Sequence, residues 1–174
     1  MFYEYVSKAL ADKMYMEVVG EILENRKVKQ LKNFSQHGDI SRYDHSLNVS
    51  YIGYLIAKKL NWDYISIARA GMLHDFFLYD WHNSNPHIFP LRKSHALNHG
   101  KVALKNAEES FSLSKKEKEM IKKHMWPITI TPPRYAMTYF IGMVDKYCAI
   151  MELVLTIKAY KNPINKEVIQ KTLE

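Results

Sequence analysis

A histidine and an aspartate stand side by side, His74 and Asp75, at the end of the apolar run RAGMLHD. Both side chain types ligate metals, and a buried polar group is costly unless something pairs it, so the run implies partners elsewhere in the chain. Four residues have the right chemistry: His45 in RYDHSLNVS, His99 in NHG, His124 in KKHMWP and Asp145 in GMVDKYC. Each taken singly is more often a hydrogen-bonded core residue. The order His, His-Asp, His, His, Asp over separate helices is not an ordinary core pattern. Imidazoles combined with carboxylates favour first-row transition ions such as Fe, Mn, Zn, Ni or Co, whereas an all-oxygen site favours Mg or Ca. Two such ions can share a hydroxide formed near neutral pH, a nucleophile suited to phosphorus.

The elements that must carry these residues read as helices. Six glycines and six prolines in 174 residues, with 47% hydrophobic content, describe a helical protein with short connections. Apolar residues recur at helical spacing over residues 2 to 24, and a short helix follows to about Phe34 before SQHGDIS breaks the pattern. Ser41 caps a helix running to Leu60, and NWD forms a turn in which Asp63 caps the next helix, Tyr64 to Asp75. From His45 the chain travels roughly 23 Å outward and returns roughly 18 Å to His74. An antiparallel pair of these lengths sets His45 beside His74 and Asp75.

Residues 78 to 94 read as a loop, and a helix spans about 95 to 110. Ser114 and Glu117 match a capping box for a helix that stops at HMWP. A long apolar helix covers about 134 to 158, and a final one follows Pro163. The expected fold is all-α, one compact helical bundle over residues 1 to 174 with no internal repeat and no second domain.

Charge and cysteine content limit the setting. The net charge of +7 is spread over mixtures such as NRKVKQLKN and SKKEKEMIKK, without the compact arginine-rich or aromatic-basic array of a nucleic-acid binder. A small phosphorylated substrate uses the same charge. The single cysteine, Cys148, forms no internal disulfide, and the amino terminus lacks the layout of a signal peptide. The longest apolar run is too short to span a bilayer. A cytoplasmic setting is the default expectation; the oligomeric state is left open, a homodimer included.

RYDHSLNVS followed by ARAGMLHD resembles the HD superfamily of metal-dependent phosphohydrolases, over about residues 35 to 155. The resemblance implies an HD-type helical bundle with His45, His74, Asp75 and Asp145 as the mononuclear ligand set. It implies His99 and His124 as the extra histidines of dinuclear members, in which the paired aspartate bridges two metals. Asp75 would then bridge, with His45, His74 and Asp145 around one ion and His99 and His124 on the other. The cofactor is one or two divalent transition ions, with Fe or Mn foremost and Zn, Ni or Co next. The layout is also similar to that of bacterial HD enzymes that split diadenosine tetraphosphate, although their ADYIEP-like context is here VDKYCAIME. No GYP motif appears, which disfavours the cyclic di-GMP branch.

Further polar residues are candidates for roles around this cluster. Asp80 is a general acid toward a leaving group, alongside the bridging Asp75. Arg42, one turn before His45, together with Lys93, Lys101 and Arg134, is a candidate to bind substrate phosphate; Arg92 flanks the same loop. His37, His82, His87 and His95, and the ring faces of Trp81 and Trp126, are weaker candidates for substrate contact. The reaction expected is hydrolysis of a phosphate ester or anhydride of a small, nucleotide-like substrate. A non-catalytic metal-binding regulatory module is an alternative that six intact ligands argue against. A di-iron oxygenase on the same scaffold is another, distinguished by oxygen consumption.

Overall fold

The computed structural model describes residues 4–37, 40–80 and 89–161, and the side chains of 5–36, 40–80 and 97–158. Eight α-helices appear among them, in the order α1 (Glu4–Ala11), α2 (Lys13–Glu24), α3 (Arg26–Lys29), α4 (Arg42–Lys59), α5 (Tyr64–Leu73), α6 (Phe89–Ser110), α7 (Lys115–Lys123) and α8 (Ala136–Lys161). A 3-10 turn (Gln30–Asn33) and a small antiparallel hairpin, β1 (Ser35–His37) with β2 (Ile40–Ser41), lie between α3 and α4. None of the described helices is long and apolar enough to cross a membrane. Buried apolar side chains from α1, α2, α4, α5, α6, α7 and α8 form one core, with Tyr15, Leu47, Tyr54, Ile67, Met72, Ile121 and Ile141 inside it.

Capping chemistry sets most boundaries where the sequence places them. Ser41 accepts from the Asp44 amide, Asp63 from that of Ser66, and Ser114 and Glu117 form the reciprocal capping box. The expected single helix over residues 2 to 24 is instead two. Asp12 accepts a hydrogen bond from the Tyr15 amide and so starts α2 afresh, a short polar side chain competing for backbone donors. The loop expected over 78 to 94 is also corrected, since α6 begins at Phe89. Pro90 is no obstacle there, because a first-turn proline has no intrahelical partner to lose. The hairpin escapes sequence reading because strands of three and two residues show no alternation. The helix expected after Pro163 lies outside the described residues.

The pair α4 and α5 is the centre of the bundle. The chain reverses through Asn61, whose φ of 54° is a left-handed conformation that asparagine accepts better than most residues. Small residues then let the two backbones approach: a Cβ on Gly71 would sit 2.7 Å from Ser50 Cα. Ser50 fixes the register by accepting from the Tyr15 hydroxyl and donating to the Ala68 carbonyl, each at 2.6 Å. The close approach puts His45, in the first turn of α4, level with the end of α5.

Gly71→Ala is expected to lower stability by about 1–3 kcal/mol, because the methyl meets backbone that cannot move aside. Gly20→Ala, in α2 with nothing within 4 Å of its would-be Cβ, is expected to raise it by about 0.5–1 kcal/mol. Urea unfolding of both variants measures the contrast.

Candidate metal centre

Three helix ends and two helix interiors converge on a buried polar cluster. His45 comes from the first turn of α4, and His74 and Asp75 from the two residues after α5. His99 comes from the middle of α6, His124 from the residue after α7, and Asp145 from the third turn of α8. α8 reaches His124 closely because residue 142 is glycine: a Cβ there would stand 2.5 Å from the His124 carbonyl oxygen. His45, His74 and His124 are 0–1% exposed, and Asp75 and His99 are 4% exposed. Such burial is tolerable only for groups that are paired or hold a cation.

Hydrogen bonds at the far side of each ring aim the near side inward. His74 Nδ1 donates to the Gly71 carbonyl at 2.7 Å and His124 Nδ1 to that of Ile121 at 2.9 Å, which turns Nε2 of both rings toward the cluster. His45 Nδ1 donates to Glu152 Oε2 at 2.8 Å, and its Nε2 faces Asp145 Oδ1 at 3.1 Å. His99 Nε2 lies 2.8 Å from His124 Nε2, and Asp75 Oδ1 is 3.4 Å from the former and 3.6 Å from the latter. Asp75 Oδ2 lies 3.6 Å from His74 Nε2. Donor atoms of His45, His74 and Asp145 lie within 4.8 Å of one another, and so do those of His74, Asp75 and His124.

His74 Nε2 and Asp75 Oδ1 are buried atoms with no hydrogen-bond partner. A lone pair and a carboxylate oxygen left this way, amid further imidazole nitrogens, fit a divalent cation better than any hydrogen-bond scheme. The electrostatics agree. Burial alone would raise Asp75, but His74, His99 and His124 outweigh it and hold the carboxyl well below the ordinary range. Asp145 is likewise held down against burial by the hydrogen bond from His45 and by the nearby His74, 3.6 Å away. Burial, with His99 and His74 nearby, pushes His124 down to about 3, so its Nε2 stays an available lone pair at neutral pH.

A family model for the HD domain matches residues 42–169, about three quarters of the chain. The chain belongs to the HD domain family. The family consists largely of metal-dependent hydrolases, and the HD chain described here carries His/Asp groups able to hold metal. Neither a curated protein nor a solved structure gives a significant match.

The structure brings together all six candidate ligands of this HD domain, but not the candidate substrate contacts. Arg42 is corrected: it is 0% exposed and works beneath the cluster. Its guanidinium donates to Gln36 Oε1 and to the carbonyls of Phe77 and Tyr79, and stacks 3.7 Å over the Phe77 ring. Arg134 is corrected too, for it precedes α8 while Asp145 lies roughly 14 Å further along that helix. Its amide donates to Glu119, which caps that end of α8. Lys101 is exposed and bonds Asn98, two residues from His99 and so on nearly the opposite face of α6. Asp80 is exposed at the end of the segment that leaves Asp75. Trp126 packs edge-on against Tyr139. The side chains of His37, Trp81, His82, His87, Arg92, Lys93 and His95 lie outside those described.

The structure adds three supporting residues. Glu152, 0% exposed, orients His45, and Asn48 Nδ2 donates to its other oxygen at 3.4 Å. Its signal was present: Asp145 and Glu152 are seven residues apart, on one face of an apolar helix. Gln36 in β1 donates to Asp75 Oδ2 at 2.6 Å and accepts from Arg42 at 3.0 Å, linking the hairpin to the cluster.

Glu152→Ala is expected to weaken metal binding about 10–100-fold with the helical content retained, and Glu152→Gln to recover part of the loss. Competition with a chromophoric chelator measures the affinities. A second expectation follows from protonation. Burial lowers His45, but Glu152 and Asp145 outweigh it and raise its pKa well above the ordinary value; Asp75 and Asp145 likewise raise His74 against burial. Both shifts favour the protonated ring, and metal must displace the protons these rings hold, so affinity rises with pH. Titration calorimetry in two buffers of different ionisation enthalpy is expected to show at least one proton released per chain at pH 7.

Proposed function

We propose that this HD domain is a metal-dependent phosphohydrolase, cleaving a phosphate ester or anhydride of a small nucleotide-like substrate. One observation carries the reading. The two oxygens of Asp75 are divided between two donor groups, Oδ2 toward His74 and Oδ1 toward His99 and His124. That division suits a carboxylate shared by two ions: one held by His45, His74 and Asp145, the other by His99 and His124. Fe or Mn suits the mixed nitrogen and oxygen donors.

Divalent ions at such a site act as Lewis acids toward phosphate oxygens and lower the pKa of water. The chain's own residues supply the rest. Gln36 fixes the plane of the Asp75 carboxylate by holding Oδ2, and Arg42 holds Gln36. Glu152 and the Gly71 and Ile121 carbonyls lock the rings of His45, His74 and His124, so little reorganisation accompanies the reaction. Asp80, five residues beyond Asp75 and exposed, is the group we assign to return a proton to a leaving oxygen. Lys93, with the overall positive charge, steers an anionic substrate.

Elemental analysis of gently purified protein is expected to find close to two transition ions per chain, and Asp75→Ala to lose them. Hydrolysis in a screen of nucleotides and dinucleoside polyphosphates is expected to fall to background in that variant. Full metal retention by Asp75→Ala, or oxygen consumption without phosphate release, would overturn the reading.

A further inference from the structure

The outward face of α8 is a surface feature that the metal cluster leaves unused. Inward, the helix presents Asp145, Cys148 and Glu152. Outward, it exposes Tyr139, Met143, Tyr147, Ile150, Val154 and Ile157, in steps of four, four, three, four and three residues. That alternation is the spacing of a seam between paired helices. The exposed positions of α8 from 139 to 158 carry only two charges, Lys146 and Lys158. Scattered exposed apolar residues are ordinary, but a contiguous stripe with so little charge marks an interface. Beside it, Tyr5, Leu55, Ile56, Met143 and Tyr147 line a groove of about 530 Å³ between α4 and α8.

We propose that this face joins two copies of the chain, α8 against α8, antiparallel about a twofold axis at Ile150. Such pairing sets Met143 opposite Ile157 and Tyr147 opposite Leu153, each meeting its counterpart twice, and Ile150 opposite itself. The partner's Ile157 then lies at the mouth of the α4–α8 groove. Charge chooses the direction. Parallel pairing would bring Lys146 level with Lys146 and Lys158 level with Lys158, whereas antiparallel pairing offsets the like charges along the axis, Lys146 falling level with Val154 and Lys158 level with the inward-facing Gly142. Antiparallel helices also bring opposite dipole ends together. The area is sufficient: the exposed apolar side chains of α8 with Leu55 and Ile56, each 37–62% exposed, present on the order of 800 Å², one partner's share of a standard interface. An acidic helix from another protein would find two lysines along five turns of α8 and Lys59 beside the groove.

Sedimentation equilibrium of the full chain at about 100 µM is expected to give a dimer. Ile150→Glu is expected to give a monomer with unchanged helical circular dichroism, since Ile150 is 62% exposed, and a melting temperature that no longer depends on protein concentration. Ile150→Cys is expected to link to its own copy on mild oxidation; the native Cys148 is buried and does not compete. Lys158→Cys, roughly 24 Å from its copy in this pairing, is expected not to link. A native monomer at that concentration overturns the proposal, and so does a dimer indifferent to Ile150→Glu or linked equally well through Lys158→Cys. A native monomer that dimerises once residues 162–174 are removed also overturns it, and assigns the face to the chain's own tail.

Discussion

Asp75 is an ionised carboxylate held 4% exposed with three imidazoles around it and a buried guanidinium behind. Removing a charge from water to this extent costs several kcal/mol unless the surroundings replace the lost hydration. The surroundings do so by specialising its two oxygens, one bonded to an amide and the other left to face nitrogen donors. Much of the bundle follows from that requirement. α4, α6, α7 and α8 each send a residue to the same point, and a hairpin is spent on supplying Gln36.

Behind these residues lies a layer of groups whose task is orientation. Arg42 remains charged although burial pulls it down to about 10, with Asp75 and other acidic groups opposing the fall. It joins β1 to the segment after α5 through Gln36 and the carbonyls of Phe77 and Tyr79. Asn106 of α6 donates to the neighbouring Phe76 carbonyl, so the chain leaving Asp75 is held from two sides. Glu152 does the equivalent for His45. A site locked through its outer hydrogen bonds keeps its donor geometry when a ligand arrives, which is where preorganised electrostatics gains its advantage.

α8 serves both halves of this account. Its inner face carries Asp145 and Glu152 into the cluster, and its outer face carries an apolar stripe. A surface helix ordinarily shows one apolar stripe and one polar face. Here the inner stripe is interrupted by two carboxylates and the outer face is nearly uncharged, an inversion that neither core packing nor solubility requires.

The sequence by itself determined the helical class, the positions of the caps at Ser41, Asp63 and Ser114, and the identity of the six converging residues. It could do so because capping and amphipathic period are local, and because a hairpin of two helices with known rise brings His45 to His74 by arithmetic. What tertiary structure decided was the use of residues with no local signature. Arg42 reads as a cation available to substrate until the hairpin and Phe77 close over it. Gln36 reads as loop until β1 pairs with β2, and Glu152 reads as an ordinary helix acid until α4 is laid against α8. Lys101 and Arg134 share the right charge and stretch of chain with the cluster, yet helix rotation and axial distance keep them from it. Those outcomes depend on contacts across 35 to 107 positions, from Arg42 to Phe77 and from His45 to Glu152, and residue spacing along the chain does not say which partners meet.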